Sequence, residues 1–188
     1  MYTLYIFYIK HTWYTFSMIA LFTILQSLAI SLGVGSSTLA VTNFFVAIWD
    51  GKIDEHERRM MGVVYVVLRV AMIAILLTTL VLTVLQYISG ADIASFQYQA
   101  WSLLVILFAN AILMTLCLMP SAFGPAIQAS SWYGLGIITS LRLIDVSLNY
   151  MQFVLLYSTL LFFAITFINL LLMYCKKCQE ESKVCMPQ

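Results

Sequence analysis

Charge is scarce in this chain. Lysine and arginine number nine and aspartate and glutamate eight, so 9% of the 188 residues are charged. Soluble domains carry about a quarter. The shortage excludes an ordinary soluble fold, because a chain of this length cannot hide 63% hydrophobic residues from water. A formal net charge of +1 leaves no polyanion-binding footprint, which excludes nucleic acid as a partner.

Histidine is scarcer still. His11 lies near the start of the first apolar run and His56 in a charged loop. Haem ligation inside a bundle wants inward-facing histidine, and copper or zinc wants clustered His, Cys or carboxylate. Neither pattern occurs, so no cofactor or metal site is predicted. The four cysteines form no disulfide framework: Cys117 sits in an apolar run, while Cys175, Cys178 and Cys185 crowd the tail. The Cys175-x-x-Cys178 pair closes a helix, where the dipole does not lower a thiol pKa, and zinc would lack a fourth ligand. Free thiols or reversible acylation are the readings it supports. Phosphate loops, GxSxG and HExxH are also missing, so no catalytic residue is assigned.

What is present is long apolar runs and one dense charge cluster. Seven charged residues lie between Asp50 and Arg59, whereas only Arg69, Asp92, Arg142 and Asp145 fall between Met60 and Cys175. The pattern predicts an all-α, polytopic transmembrane helix bundle over residues 1–175 with a polar tail over 176–188. The lipid bilayer is its first partner. The N-terminal apolar run outlasts a signal-peptide core and lacks a basic leader, so it reads as a retained helix. Tyr2, Tyr5, Tyr8, Trp13 and Tyr14 resemble an interfacial aromatic belt.

From Thr12 to Trp49 no side chain is charged. As one helix the stretch would run about 57 Å, well beyond a hydrocarbon core of about 30 Å. One long first helix is predicted, kinked at Gly33-Val34-Gly35-Ser36-Ser37, with a re-entrant break there as the alternative. Small residues recur every four positions along it. Ala29, Gly33 and Ser37 form one row, and Ser27, Ser31 and Gly35 the next. Such rows admit a second helix closely, within the chain or in a homo-oligomer or a membrane partner protein.

Asp50-Gly51 signals a turn, and Asp54 with Glu57 forms an Asp-x-x-Glu capping box for a second helix running to about Tyr87. A third span is expected over Gln99–Met119, then a connector from Pro120 to Pro125. The segment 128–146 is apolar enough to span but carries Gln128, Ser130, Ser131, Arg142 and Asp145. It reads as a fifth span or as a short interfacial helix. The last span is expected at about 148–174. Lys/Arg bias favours five spans, with the 50–59 loop and the Lys176, Lys177 and Lys183 tail together in the cytoplasm. The polar content of 128–146 favours four.

Arg69 lies ten residues past Arg59, about 15 Å deeper along the second helix. A charge there costs a few kcal/mol and marks a candidate intramembrane polar site. Gln26, Asn43 and Asn110 are the amides grouped with it. Gln86, Gln152 and Asn169 are further polar residues in the spans. Interhelical hydrogen bonds are their expected role, with a polar path through the bundle as the alternative. Asp145 can face Arg69 only if 128–146 is inserted.

The run "LAISLGVGSSTLAVTNFFVAIWDGKIDEHERRMMGVVYVVL" resembles uncharacterised small bacterial integral membrane proteins. These carry a glycine-rich first helix, a D-G-[KR]-I turn and an acidic start to helix two. They are loosely similar to copper-resistance D-type four-helix bundles. The resemblance implies a four-helix core. In that bundle family membrane histidines carry haem or copper, and Gln26 stands here where the first would fall. Three readings follow: a non-enzymatic accessory or assembly subunit, a small transporter or channel subunit using Arg69, and a redox or haem/copper-associated membrane protein.

Overall fold

The computed structural model describes residues 2–50, 55–89, 95–116, 118–119 and 123–184. Within them the side chains of 2–16, 44, 47–50, 57, 172 and 175–184 are not described. Five helices follow in order: α1 (Tyr2–Asp50), α2 (Glu55–Ile88), α3 (Ser95–Thr115), α4 (Phe123–Leu143) and α5 (Tyr150–Val184). The chain is a helical bundle, and its helices are those of a multi-pass membrane protein. Four segments are long and apolar enough to cross a bilayer: Ser17–Asn43, Arg58–Ile88, Ser95–Thr115 and Tyr150–Leu171. In lipid only such internally hydrogen-bonded helices, or closed barrels, can span.

α1 is helical without interruption over 49 residues. This is the single long helix expected, and the alternative of a re-entrant break at residues 33–37 is absent, because Gly33 admits a neighbour rather than releasing the backbone. Several hydroxyls bond back one turn along this stretch, including Ser31 Oγ to the Ser27 carbonyl (2.9 Å), Ser36 Oγ to Leu32 (2.7 Å) and Thr38 Oγ1 to Val34 (2.8 Å). This satisfies the hydroxyls locally and favours slight bending. α2 opens at Glu55, directly after Asp54. Asp54 lies outside the described residues, as does the Glu57 side chain, so the capping box is not seen.

Three boundaries differ from expectation. α3 begins and ends four residues earlier than the Gln99–Met119 estimate. α4 starts at Phe123, so Pro125 lies in its first turn rather than in a connector. There the missing N–H is one the helix could not use anyway. α5 continues through 176–184, so the polar tail extends the last helix.

α4 is the helix with the weakest claim on lipid and the strongest on the core. Ten of its 21 residues are buried, including Trp132, Ser131, Gln128 and Leu135. It runs antiparallel to α3 along its whole length. Met114 meets Gly124, Asn110 bonds Gln128, Leu103 packs on Gly134, and the Arg142 guanidinium lies 4.8 Å over the Phe96 ring. α4 is thus packed into the bundle, although it is not among the four segments long and apolar enough to span. The polar residues that seemed to bar α4 from the bilayer face other helices, where they have partners.

α1 and α2 pair antiparallel along the opposite side, and α4 also packs on α1 and α5. α5 is peripheral, with 6% of its apolar window buried. Phe45 and Phe167 meet edge to face where α1 and α5 touch. The core joins Ile30, Leu68, Ile75, Leu103, Leu104, Leu107, Trp132 and Leu135.

Candidate functional site

The interhelical hydrogen bonds of Gln26, Gln97, Asn110 and Gln128 fall at two levels of the bundle. Nearer the end of the bundle where α3 starts, Gln26 Nε2 donates to Thr79 Oγ1 (2.8 Å), joining α1 to α2. Gln97 Nε2 donates to the Thr79 carbonyl (3.0 Å) and to Thr83 Oγ1 (2.7 Å), and Trp101 Nε1 reaches the same hydroxyl (3.1 Å). Nearer the charged 50–59 end, Asn110 Nδ2 donates to the Gly124 carbonyl (3.0 Å) and to Gln128 Oε1 (3.2 Å). Gln128 Nε2 in turn approaches Met72 Sδ at 3.8 Å. Thirteen residues of α3 separate the layers, about 20 Å. Between them Ile75, Leu103, Leu104, Leu107, Trp132 and Leu135 are each no more than 1% exposed.

The sequence-marked residues are thus dispersed. Gln26 belongs to the first layer and Asn110 to the second. Asn43 lies further along α1 and keeps a buried Nδ2 without a partner, as Gln86 keeps a buried Oε1. Gln152 Oε1 accepts from the Asn149 amide (3.0 Å) at the start of α5. Asn169 is exposed. Gln97, Gln99, Thr79 and Thr83 were not singled out from the sequence. Gln97 and Gln99 sit two residues apart in a helix, a spacing that does not announce a shared buried role. Gln99 Nε2 donates to the Leu148 carbonyl (2.8 Å), tying the α4–α5 connection to α3.

The small-residue rows separate cleanly. Ala29, Gly33 and Ser37 are buried. A Cβ at Gly33 would fall within the Trp132 ring, so only glycine lets α4 seat its largest buried side chain. Ser31 and Gly35 are exposed, and a Cβ at Gly35 meets nothing within 4 Å. Exposed Thr38 and Thr42 continue their line, and Thr38 Oγ1 lies 2.8 Å from the Tyr133 hydroxyl.

Arg69 is exposed and borders two spaces. One is a cavity of about 330 Å³ between α1, α2, α3 and α4, whose polar lining is Arg69, Gln128, Ser37, Tyr65 and Thr115. The other is a groove of about 360 Å³ between α2 and α3, lined by Arg69, Met72, Ile73, Phe108, Ala111 and Ile112 among others. No carboxylate lines either one. Asp145 lies in a cleft with Ser95 and Arg142, at the opposite end of α3, so insertion of α4 does not bring it to Arg69. Arg59, by contrast, pairs with Glu55 at 3.6 Å in the exposed first turns of α2.

Among the described residues no three of His, Cys, Asp and Glu come together. The arrangement offers binding surfaces, hydrogen bonds and one cationic group at the rim of a cavity. Comparison of the chain with protein-family models, with curated proteins and with solved structures gives no match. Fold and site define a class, the multi-pass helical membrane protein.

Proposed function

We propose that the chain is a non-enzymatic accessory or assembly subunit that binds a further transmembrane helix along α1, either a second copy or a partner protein. The observation that carries this is the exposed line of Ser31, Gly35, Thr38 and Thr42. Surfaces that meet only lipid are cheapest when built from large apolar side chains, as α5 shows with Leu155, Phe162 and Phe163. Small residues and hydroxyls in a row are the surface that lets helix backbones close on each other.

Blue-native sizing of wild type, Gly35→Leu and Gly33→Leu addresses the reading. Wild type is expected above the single-chain size and Gly35→Leu at it. Gly33→Leu, which strikes Trp132, is expected to lose the fold. Single-chain size in both wild type and Gly35→Leu would sink the proposal. Transport past Arg69 has less support, because the amides grouped with it are dispersed, with Ile75, Leu103, Leu104 and Leu107 packed between Gln26 and Asn110.

The reading extends to topology. α4 matches α3 in length and lies beside it end to end, which supports a fifth crossing beside the four more apolar helices. The 50–59 loop and the α5 end then share a side carrying Lys52, Arg58, Arg59, Lys176, Lys177 and Lys183, against Lys10 and Arg142 opposite. Positive charge is retained in the cytoplasm, so the loop and the tail are cytoplasmic.

A further inference from the structure

Arg69 is level with the last turn of α3, since it shares its groove with Ala111, Ile112 and Thr115. It therefore sits near one edge of the apolar layer rather than at its middle. A guanidinium at that depth is costly to strand in lipid. The two spaces it borders have Arg69, Met72, Ala111 and Thr115 in common. They are an inner pocket with polar groups and an outer, almost wholly apolar groove that opens to the lipid side of α2 and α3. An amphiphile fits this pair of spaces as one molecule. Its head reaches the guanidinium with Thr115 and Gln128 nearby, and a hydrocarbon chain lies along Ile73, Phe108 and Ile112. The head must be anionic, because the lining supplies a cation and no carboxylate. Phosphate suits the planar, multiply donating guanidinium, which can bond two oxygens at once.

We propose that the α2–α3 face around Arg69 is a binding site for an anionic glycerophospholipid, with its phosphate on Arg69 and one acyl chain in the groove. The site stands apart from the α1 line and holds whether or not the chain assembles.

Native mass spectrometry of delipidated full-length protein tests it, with phosphatidylglycerol, chain-matched phosphatidylcholine and oleate as probes. Wild type is expected to hold phosphatidylglycerol about tenfold more tightly than phosphatidylcholine, whose choline cation offsets the phosphate charge that both lipids present to Arg69. Arg69→Gln is expected to abolish that preference and Arg59→Gln to leave it intact. Ala111→Phe, which fills the shared wall, is expected to weaken both phospholipids alike. It keeps the test open if Arg69→Gln fails to fold. A preference that survives Arg69→Gln, or that Arg59→Gln removes equally, overturns the site. Oleate captured as tightly as phosphatidylglycerol through Arg69 overturns the phospholipid assignment.

Discussion

Gly33 and Gly35 stand two residues apart on one helix and have opposite surroundings. A methyl at Gly33 enters the Trp132 ring, while one at Gly35 meets open space. We therefore expect Gly33→Ala to destabilise the fold by about 1–3 kcal/mol, the usual cost of overpacking a tight core. Gly35→Ala should leave the isolated chain unchanged or up to about 1 kcal/mol more stable, since alanine is the better helix former. Thermal unfolding in detergent, followed by helical circular dichroism, separates the two; equal effects would show that the rows are not distinct. The amides behave differently from the glycines. Gln26→Leu removes one interhelical bond, worth about 0.6 kcal/mol on average in a membrane. Gln97→Met removes two, but it also removes a buried Oε1 that has no partner. Its net cost should stay within about 1 kcal/mol despite the greater number of bonds lost. A much larger loss would mean that this oxygen is satisfied by bound water. At this scale the sequence exposed the small rows but not which row was internal. Spacing reports that Gly33 and Gly35 lie on different faces, and says nothing of where Trp132 stands.

Among the elements, α4 is where sequence reading and structure part most. Its Gly124, Gln128, Ser130, Ser131, Gly134 and Arg142 lower its hydropathy, and hydropathy measures the cost of facing lipid. About half of α4 faces other helices instead, with ten of its 21 residues buried. Its glycines admit Met114 and Leu103 of α3, its serines bond within its own backbone, and Ser131 Oγ also lies 3.2 Å from the Tyr157 hydroxyl. The opposite case is α5, which reads clearly as a span because it is peripheral. Backbone amide exchange should follow this division. Protection is expected to be greatest across the central turns of α4, about residues 126–138, and least in the last turns of α5, beyond its apolar window. Mass-spectrometric hydrogen exchange measures both segments in one experiment. Rapid exchange in the middle of α4 would contradict its place in the core. The helix ends were legible only to within a few residues, because Pro125 can signal a connector or a first helical turn.

At the scale of the whole molecule, the five crossings proposed above put the two ends on opposite sides of the membrane. Single-cysteine labelling with an impermeant maleimide checks this in a background without the native thiols. Tyr2→Cys is expected to react in intact cells, and Gln188→Cys only after lysis. Reaction of both from outside would return α4 to the membrane surface. The scarcity of charge and the length of the apolar runs were enough to dictate helices in a bilayer, since lipid offers the backbone no hydrogen bonds and each segment must satisfy its own. They also placed the charged 50–59 turn and made Arg69 conspicuous, because every charge in such a chain stands out. Which faces meet, which small row is buried, and that the amide and serines of α4 lie in the core were decided by tertiary packing. Those outcomes depend on pairs such as Gly33 with Trp132 and Asn110 with Gln128, whose members are far apart in the chain and have no common local signal.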